Sequence, residues 1–411
     1  MKELWLFTQN FPYGRGEAFL ENELPTLARR FASVKLFPMH GGEGMRPLPP
    51  NAEVERLIRN PYGRASLGQM TTRAWALRLM LASLRHDLGR KALDKRWRAE
   101  LWSTIRGHVH RLTILEHELL PQYDPRRVVL YSYWTHEWAT LLALLKHRQP
   151  RLRFISRAHG FDLYEERHEA GSIPFRHLQL RALDRLFCVS TAGLEHMRMR
   201  HPLDRSKYEL AMLGTRDHGT TCGSKEGPLQ VVSCAHVAPV KRVELIAAAM
   251  AKTTRPLRWT HFGDGPGMDE LRALVQHLPP HVVADLKGAV DNADLMCWYA
   301  ANPVDACVLA SASEGGVAVA LQEAASFGIP LIATDSGGVR DIMNEHTGIL
   351  LAKDASADEL AKVIDGFRQS PMATAEFRVG VRAFWEENFR AEVTFNRFCD
   401  RLLELHASWN G

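Results

Sequence analysis

Short apolar runs alternate with longer helix-like segments along nearly the whole chain, and this alternation constrains the fold more than any other feature. In the first half the runs lie at residues 4–9, 33–39, 128–134, 153–160 and 185–190. In the second half the pattern restarts, with runs at 229–235, 257–263, 283–290, 305–311, 330–334 and 347–351. Strands that alternate with helices form parallel sheets with helices on both faces. The sequence therefore predicts two doubly wound α/β domains in succession.

A glycine-rich, polar segment divides the two halves. The 411 residues exceed one ordinary core, and "LGTRDHGTTCGSKEGP" at 213–228 has the composition of an interdomain linker. We expect an N-terminal Rossmann-like domain at 1–212, a second at 229–375, and helices at 376–411 that cross back to the first. Residues 65–120 are rich in arginine and predict a helical insertion in the first domain.

The bulk properties exclude several classes of protein. No apolar run reaches the roughly 18 to 20 residues of a membrane span, and the N-terminus lacks a signal-peptide pattern. The six cysteines are scattered, which favours free thiols in a reducing cytoplasm over disulfides or zinc. The net charge of +5 suits an anionic substrate or a membrane surface better than a nucleic acid. We expect a cytoplasmic protein that binds no nucleic acid.

The small, apolar stretch "SASEGGVAVALQEAASFGIPLIATDSGG" contains two glutamates, Glu314 and Glu323. The first falls in the predicted exit loop of a buried strand, and the second lies in the helix that follows. Glycines ahead of a helix N-terminus let backbone N–H groups approach an anion, and carboxylates accept hydrogen bonds from vicinal hydroxyls. On the residues alone, a sugar-binding or ribose-binding site competes with two merely solvated glutamates.

This stretch resembles the E-x7-E region of the retaining glycosyltransferases of family 4, and the chain is similar to bacterial surface-polysaccharide members. The resemblance implies the GT-B fold, two Rossmann-like domains facing each other across a cleft, with the helical insertion in the first. It implies that Glu323 holds the ribose hydroxyls of the donor. The family's first glutamate, which contacts the donor sugar, falls on Gly315, and Glu314 stands one position earlier. The amides of Gly315, Gly316 and Val317 are implied to hold sugar and phosphate.

A second motif, "VVSCAHVAPVKRVELI" at 231–246, runs from a strand through a loop into a helix predicted to begin near Lys241. By itself it is either a site that neutralises phosphate or a solvated basic helix start. It resembles the family's strand-loop-lysine motif, which implies that Lys241 clamps the donor diphosphate. His236 stands where the family usually has an arginine, and Arg242 is the compensating cation.

A third motif, "FISRAHGFDLYEE" at 154–166, ends a predicted buried strand at His159. An isolated histidine is more often structural. The resemblance, however, assigns His159 to the strand-end position that contacts the donor sugar near the reacting centre. Asp162 is predicted either to bind an acceptor hydroxyl or to cap the following helix.

Glycine-rich turns after two other strands supply the remaining site residues. In "FTQNFPYGRGEAF" the resemblance places Gly16 under the donor phosphates and Arg15 and Glu17 beside the acceptor or the diphosphate. In the second domain Gly263 is predicted to approach the nucleotide, although tight turns need glycine anyway. Val290 is placed near the nucleobase by resemblance only.

Together these motifs predict a retaining, metal-independent hexosyltransferase that needs no cofactor. It would move a sugar from a UDP- or GDP-sugar to a hydroxyl of a glycan or lipid-linked oligosaccharide, in bacterial cell-surface polysaccharide biosynthesis. His159, Lys241 and Glu314 would be its catalytic residues. A GT-B-like sugar-nucleotide epimerase and a non-catalytic nucleotide-sugar-binding partner remain as alternatives. The arginine-rich insertion is either a solvated face or a contact with the inner face of the plasma membrane.

Overall fold

The computed structural model describes residues 2–14, 16–88, 95–168, 171–224 and 226–410. The chain divides into two compact units. The first comprises Met1–Val189, Gly193–Ala211 and Phe395–Gly411, and the second comprises Ser190–Ala192 and Met212–Thr394.

The first unit is built on a seven-stranded parallel sheet. Its strands are β1 (Glu3–Thr8), β2 (Ser33–Pro38), β3 (Ala52–Val54), β4 (Val128–Ser132), β5 (Phe154–Ala158), β6 (Arg185–Cys188) and β7 (Tyr208–Leu210). They lie in the order β3-β2-β1-β4-β5-β6-β7. The helices are α1 (Leu20–Arg30), α2 (Leu67–Thr72), α3 (Ala74–Leu88), α4 (Lys95–Glu118), α5 (Glu137–Arg148), α6 (Gly160–Leu163), α7 (Arg176–Ala182) and α8 (Thr191–Arg200).

The second unit is built on a six-stranded parallel sheet. Its strands are β8 (Leu229–Cys234), β9 (Leu257–Phe262), β10 (Val282–Gly288), β11 (Ala306–Leu309), β12 (Leu331–Thr334) and β13 (Gly348–Leu351). They lie in the order β10-β9-β8-β11-β12-β13. The helices are α9 (Val243–Met250), α10 (Met268–Val275), α11 (Asn292–Ala301), α12 (Val319–Ser326), α13 (Ala357–Gly366) and α14 (Ala375–Asn388), followed by α15 (Ala391–Asn410), which ends in the first unit.

Both sheets are buried on both faces, which explains why their strands are continuous apolar runs. In β1, Leu4 and Leu6 belong to one hydrophobic core, whereas Trp5 and Phe7 belong to the core on the opposite face. The alternation follows from the two-residue side-chain period of a strand. The expected pair of doubly wound α/β domains is confirmed.

Several local features differ from the expectations. Strands β3 and β7, of three residues each, are too short to stand out as apolar runs. The insertion predicted at 65–120 is not one helix but α2, α3 and α4, with a turn at Arg73. Helix α9 begins at Val243 rather than near Lys241, because Pro239–Lys241 forms a short 3-10 turn first.

The segment predicted as the linker, 213–228, is tied to the second unit by side chains. The Trp385 indole donates to Thr215 Oγ1 at 2.8 Å, and Arg378 Nη2 donates to the Thr221 carbonyl at 3.0 Å. Ser224 Oγ donates to Asp305 Oδ2 at 2.5 Å. The segment is therefore held against the second unit along its length.

The strand order reverses direction at one place in each sheet, between β1 and β4 and between β8 and β11. In open parallel sheets, ligands bind outside the carboxyl ends of the strands at such a switch point. The loops that leave these four strands are therefore the first places to look for a site. Across the described ranges, no helix combines the length and apolarity needed to cross a bilayer.

Candidate functional site

The switch point of the second unit brings Lys241 and Glu314 into direct contact. Lys241 lies in the loop after β8 and Glu314 in the loop after β11, and Lys241 Nζ is 2.5 Å from Glu314 Oε1. The glutamate side chain is 10% exposed and the lysine side chain 26% exposed. Glu314 therefore lies in the loop, as predicted, and its carboxylate holds the ammonium group at the edge of the sheet.

The two loops are also joined through their backbones and through Arg242. The Ala312 N–H donates to the Val240 carbonyl at 2.8 Å. Arg242 Nε donates to the Ala310 carbonyl at 2.7 Å, and its Nη2 donates to the Lys353 carbonyl at 2.8 Å. The direct phosphate contact predicted for Arg242 stays a prediction. The structure shows its guanidinium fixing the loop that carries Glu314.

Gly337 lets the turn after β12 approach the Glu314 loop closely. Its φ of +55° lies in the left-handed region, and a Cβ there would stand 1.9 Å from the Glu314 carbonyl oxygen. The glycines in "DSGG" are therefore required by close packing of two backbones. Gly315 is buried and Val317 is 5% exposed, whereas Gly316 is partly exposed, so their predicted amide contacts with a donor stay predictions.

Glu323 is buried in α12 and has a partner that the sequence did not reveal. Asn292 Nδ2 donates to Glu323 Oε1 at 2.7 Å. Burial raises the pKa of the Glu323 carboxyl to about 7, although the Asn292 hydrogen bond lowers it. Burial and the charge of Glu323 raise the pKa of the Cys234 thiol at the end of β8 to about 12 and Lys241 lowers it, so Glu323 and Lys241 both lie near this thiol. A buried carboxyl of this kind is suited to accept hydrogen bonds from ligand hydroxyls.

Replacing Glu323 with glutamine is expected to raise the free energy of unfolding at pH 8 and to leave it unchanged at pH 4. Between the ordinary pKa of 4.5 and the folded-state value of about 7, the folded wild type holds a proton that the unfolded chain has released. Its stability therefore falls as the pH rises through this window, by up to about 3 kcal/mol. Glutamine removes the titration and keeps the Asn292 partner.

The measurement is urea unfolding of both proteins at pH 4 to 8, with Glu387→Gln as the control because Glu387 is exposed on α14. The control should follow the wild type at every pH. A difference between wild type and Glu323→Gln that does not depend on pH would contradict the buried carboxyl.

The other predicted donor residues of the second unit surround the ends of β8, β9 and β10. Gly263, with φ +140°, leaves room for the Ala235 carbonyl, which would stand 1.9 Å from a Cβ. Its N–H donates to the Gly288 carbonyl at 2.8 Å. His236 is exposed beside this turn, and Val290 is 40% exposed. Gly263 thus packs loop against loop, and the nucleotide contacts predicted for all three residues stay predictions.

The first unit places His159 at the end of β5, packed against two neighbouring aromatic rings. The ring centroids of Tyr133 and Trp134 lie 4.7 and 4.4 Å from that of the imidazole. Neither ring nitrogen of His159 has a hydrogen-bond partner within the described residues. Burial, followed by the charge of Arg157, holds the pKa of His159 well below its usual value. The ring is therefore neutral, and both of its nitrogens are buried.

Asp162 is fully buried, and its carboxylate is bonded to the backbone. Its Oδ1 accepts the His159 N–H and its Oδ2 accepts the Thr135 N–H, each at 2.5 Å. Burial raises the pKa of Asp162 to about 7. This geometry, in which each carboxylate oxygen accepts one backbone N–H, leaves the predicted acceptor contact a prediction. It agrees with the other prediction, a role in fixing the start of α6.

Glu17 likewise organises the loop after β1. Its carboxylate accepts the N–H groups of Gln9, Asn10 and Phe11 at 2.9, 2.7 and 2.7 Å. The Trp134 indole donates to the same carboxylate at 2.7 Å. With four donors in place, Glu17 positions the loop and Trp134, and its predicted contact with an acceptor or a diphosphate stays a prediction.

Arg15 and Gly16 are the other two residues predicted for this loop. Arg15 lies outside the described residues. The Gly16 carbonyl accepts from Arg46 Nη2 at 2.9 Å, and the donor contact predicted for Gly16 stays a prediction.

Sequence reasoning missed Asn292, Tyr133, Trp134 and Arg46. A signal for the first three existed, because Tyr133 and Trp134 are the last residues of a predicted strand and Asn292 follows another. A separate cavity of about 690 Å³ in the second unit lies at the opposite, amino edge of the sheet, beside Asp305 and Arg378. None of the predicted site residues is among the described residues that line this cavity. Among the residues that the structure describes, no group of three or more His, Cys, Asp or Glu side chains is placed to hold a metal ion.

Comparison with known sequences assigns a family to part of the chain. Residues 221–379 match the family model for glycosyl transferases group 1. The chain is also 32% identical over 123 residues to the sulfoquinovosyl transferase SQD2 of Arabidopsis thaliana. That match covers 30% of this chain and spans only 22% of the relative.

Comparison with solved structures covers the whole chain. HepE of Anabaena, solved in complex with UDP, has a TM-score of 0.65 at 14% identity and covers 98% of this chain and 100% of its own. The lipopolysaccharide outer core galactosyltransferase WaaB has a TM-score of 0.68 at 12% identity over 98% and 99% of the two chains. Sucrose-phosphate synthase of Thermosynechococcus elongatus has a TM-score of 0.67 at 16% identity over 99% and 100%. The chain thus has the GT-B fold, and its residues 221–379 match the family model for glycosyl transferases group 1.

Proposed function

We propose that the chain is a retaining glycosyltransferase. It transfers a sugar from a UDP- or GDP-sugar to a hydroxyl of a glycan or lipid-linked oligosaccharide in bacterial cell-surface polysaccharide biosynthesis. The observation that carries the proposal is the Lys241–Glu314 pair at the switch point of the second sheet, beside the buried carboxyl of Glu323. The pair and the carboxyl both lie inside the region that matches the family.

Lys241 supplies the charge that this reaction needs. As the bond between the sugar and the diphosphate breaks, negative charge accumulates on the leaving phosphate. A fixed ammonium group lowers the energy of that state more than the energy of the bound donor. Glu314 holds Lys241 in place before the donor arrives, because the two groups are 2.5 Å apart.

Glu323 and Asn292 suit the ribose of the donor. The Glu323 carboxylate accepts hydrogen bonds from vicinal hydroxyls, and Asn292 fixes its orientation. The neighbouring glycine-rich loops let backbone N–H groups approach a phosphate.

His159 suits a position near the anomeric carbon because it is neutral. The reacting sugar gains positive charge as the leaving group departs, and a protonated histidine would repel it. A buried imidazole whose pKa is well below its usual value avoids this repulsion. The departing phosphate oxygen takes the acceptor proton, so that no protein base is required. The resemblance to retaining relatives supports this step.

The biological setting rests on similarity and on the insertion. HepE was solved with UDP, and WaaB is a galactosyltransferase of the lipopolysaccharide outer core. Helices α3 and α4 expose Leu81 and Trp102 among arginines, which supports contact with an anionic membrane surface that carries the acceptor.

A thermal-shift screen with UDP-, GDP- and ADP-sugars tests the donor assignment. At a concentration of about 100 Kd, a ligand that binds only the folded state adds about 2.7 kcal/mol of stability. We expect a UDP- or GDP-sugar to raise the Tm of the wild type and to have no such effect on Glu323→Ala. If no nucleotide sugar raises the Tm, the proposal is wrong.

Product analysis with the stabilising donor then tests the reaction type. Isomerised donor formed without an acceptor would identify an epimerase, and a β-linked product from an α-linked donor would overturn retention. A protein that binds donor without any turnover would be a non-catalytic binding partner.

A further inference from the structure

A cavity of about 410 Å³ in the first unit is lined by side chains that the proposed chemistry does not use. It lies between α4, the start of α5, His168, residues 172–175 and the start of α7. Its volume is within the range of small-ligand sites. The start of α5 follows β4, so the cavity belongs to the carboxyl edge of the first sheet, where ligands bind in folds of this type.

Three side chains that line the cavity each carry a buried polar atom that lacks a partner within the described residues. The atoms are His108 Nε2, Ser172 Oγ and Gln179 Oε1, in side chains that are 2%, 4% and 1% exposed. An unpaired buried polar group costs roughly 1–3 kcal/mol. Three such atoms around one cavity therefore indicate a ligand that pairs with them.

The hydrogen bonds made by the other atoms of these side chains define what the ligand must offer. His108 Nδ1 lies 2.8 Å from the Thr104 carbonyl and must donate to it, so Nε2 carries a lone pair. Gln179 Nε2 donates to the His136 carbonyl at 3.0 Å and to Thr140 Oγ1 at 2.8 Å, so Oε1 is an acceptor. Beside the cavity these three side chains therefore hold two acceptors and one hydroxyl without partners, and a ligand that pairs with the two acceptors must supply hydrogen-bond donors.

The charges of the lining disfavour an anion. No lysine or arginine is among the described residues that line this cavity. Glu137 is paired with Arg111, whose Nη2 lies 3.1 Å from Glu137 Oε1. Burial lowers the pKa of His108 to about 4, so this ring is neutral at pH 7. By contrast, a cavity of about 590 Å³ elsewhere in the unit is lined by two lysines and two arginines, Lys146, Lys207, Arg153 and Arg181.

Aromatic rings form the apolar walls. Phe175 has a left-handed φ of 64°, and its ring centroid lies 5.4 Å from that of His108 in an edge-on arrangement. Trp97 of α4 lines another part of the cavity. Aromatic walls with a few fixed polar groups are typical of sites for small organic ligands.

We propose that this cavity binds a neutral, hydroxyl-rich ring, a sugar residue of the acceptor. The acceptor part of the statement rests on the proposed function. Sugar hydroxyls donate hydrogen bonds to His108 and Gln179, exchange one with Ser172, and require no positive charge. The insertion helix α4 thereby helps to select the acceptor. The cavity adjoins the segment that carries Trp134, the ring packed on His159.

The proposed sugar site is tested by measuring, with ligand-observed NMR, the binding of methyl hexosides and of a methyl N-acetylhexosaminide. Ser172→Ala is the primary variant, because a hydroxyl without a partner can be removed without loss of a protein contact. His108→Phe is the second variant and removes the Nε2 acceptor. His147→Phe is the matched control, since His147 lines the basic cavity instead.

At least one glycoside should bind the wild type and the control equally well and bind Ser172→Ala and His108→Phe about tenfold more weakly. Inorganic phosphate should not displace it. Absence of glycoside binding, equal binding by all four proteins, or displacement by phosphate would overturn the proposal. Nucleotide-sugar binding is measured in parallel: a chain that binds a nucleotide sugar but no glycoside contradicts the cavity alone. A chain that binds a glycoside but no nucleotide sugar contradicts the proposed function.

Discussion

Replacing Lys241 with alanine is expected to slow nucleotide release from the sugar donor by at least about a hundredfold. Groups that stabilise charge developing in a transition state typically contribute factors of about 10² to 10³. The rate is measured with the donor that stabilises the wild type. Lys252→Ala is the control, because Lys252 pairs with Asp358 on the surface of the same unit, with 47% and 73% of the two side chains exposed.

The loss of activity must be separated from loss of stability. Lys241→Ala leaves the Glu314 carboxylate without its partner in a site where that side chain is 10% exposed, at an expected cost of about 1–2 kcal/mol. The double variant Lys241→Ala/Glu314→Gln should recover most of this stability and none of the activity. Wild-type rates in either variant would show that Lys241 does not act on the leaving group.

Replacing Arg157 with methionine is expected to lower the free energy of unfolding by about 3–5 kcal/mol. Arg157 Nη1 lies 2.6 Å from Glu23 Oε2, and both side chains are fully buried. Burial raises the pKa of Glu23 although the guanidinium lowers it, so the intact pair gains little. Losing one member is costly because a carboxyl then remains buried without its cation.

Arg127→Met is the control for this measurement, because Arg127 pairs with Glu3 while 70% exposed, and a change below about 1 kcal/mol is expected. The double variant Glu23→Met/Arg157→Met should recover much of the loss. Chemical denaturation measures all four proteins. An Arg157→Met variant as stable as the control would contradict the account of the buried pair.

The architecture could be predicted because strands and helices have different periods. The strands around Leu4 and Val231 are buried on both faces, and such strands can be recognised in a single sequence as continuous apolar runs. The strand Tyr208–Leu210 left no such signal, because it has only three residues. It pairs with β6 at the edge of the sheet.

Site residues were predictable where one residue type meets one chemical need. Lys241 and Glu314 were predicted as cleft residues, and they form one ion pair. For Glu17 and Asp162 the sequence could not reveal the backbone partners, because a carboxylate in a loop can serve a ligand or the backbone. Only coordinates show that N–H groups already occupy their oxygens. Asn292 was missed because its partner Glu323 is 31 residues away in sequence.

The path of α15 has a consequence for the order in which the protein can be made. Phe398, Cys399, Leu402 and Leu405 lie in the same core as Leu4 and Leu6 of β1. During synthesis, the first unit lacks these four side chains and keeps an open apolar face until residues 398–405 have left the ribosome. The second unit has all of its own strands before that point. The unit encoded first is therefore completed last, and a polypeptide cut within 213–228 would separate its core into two molecules.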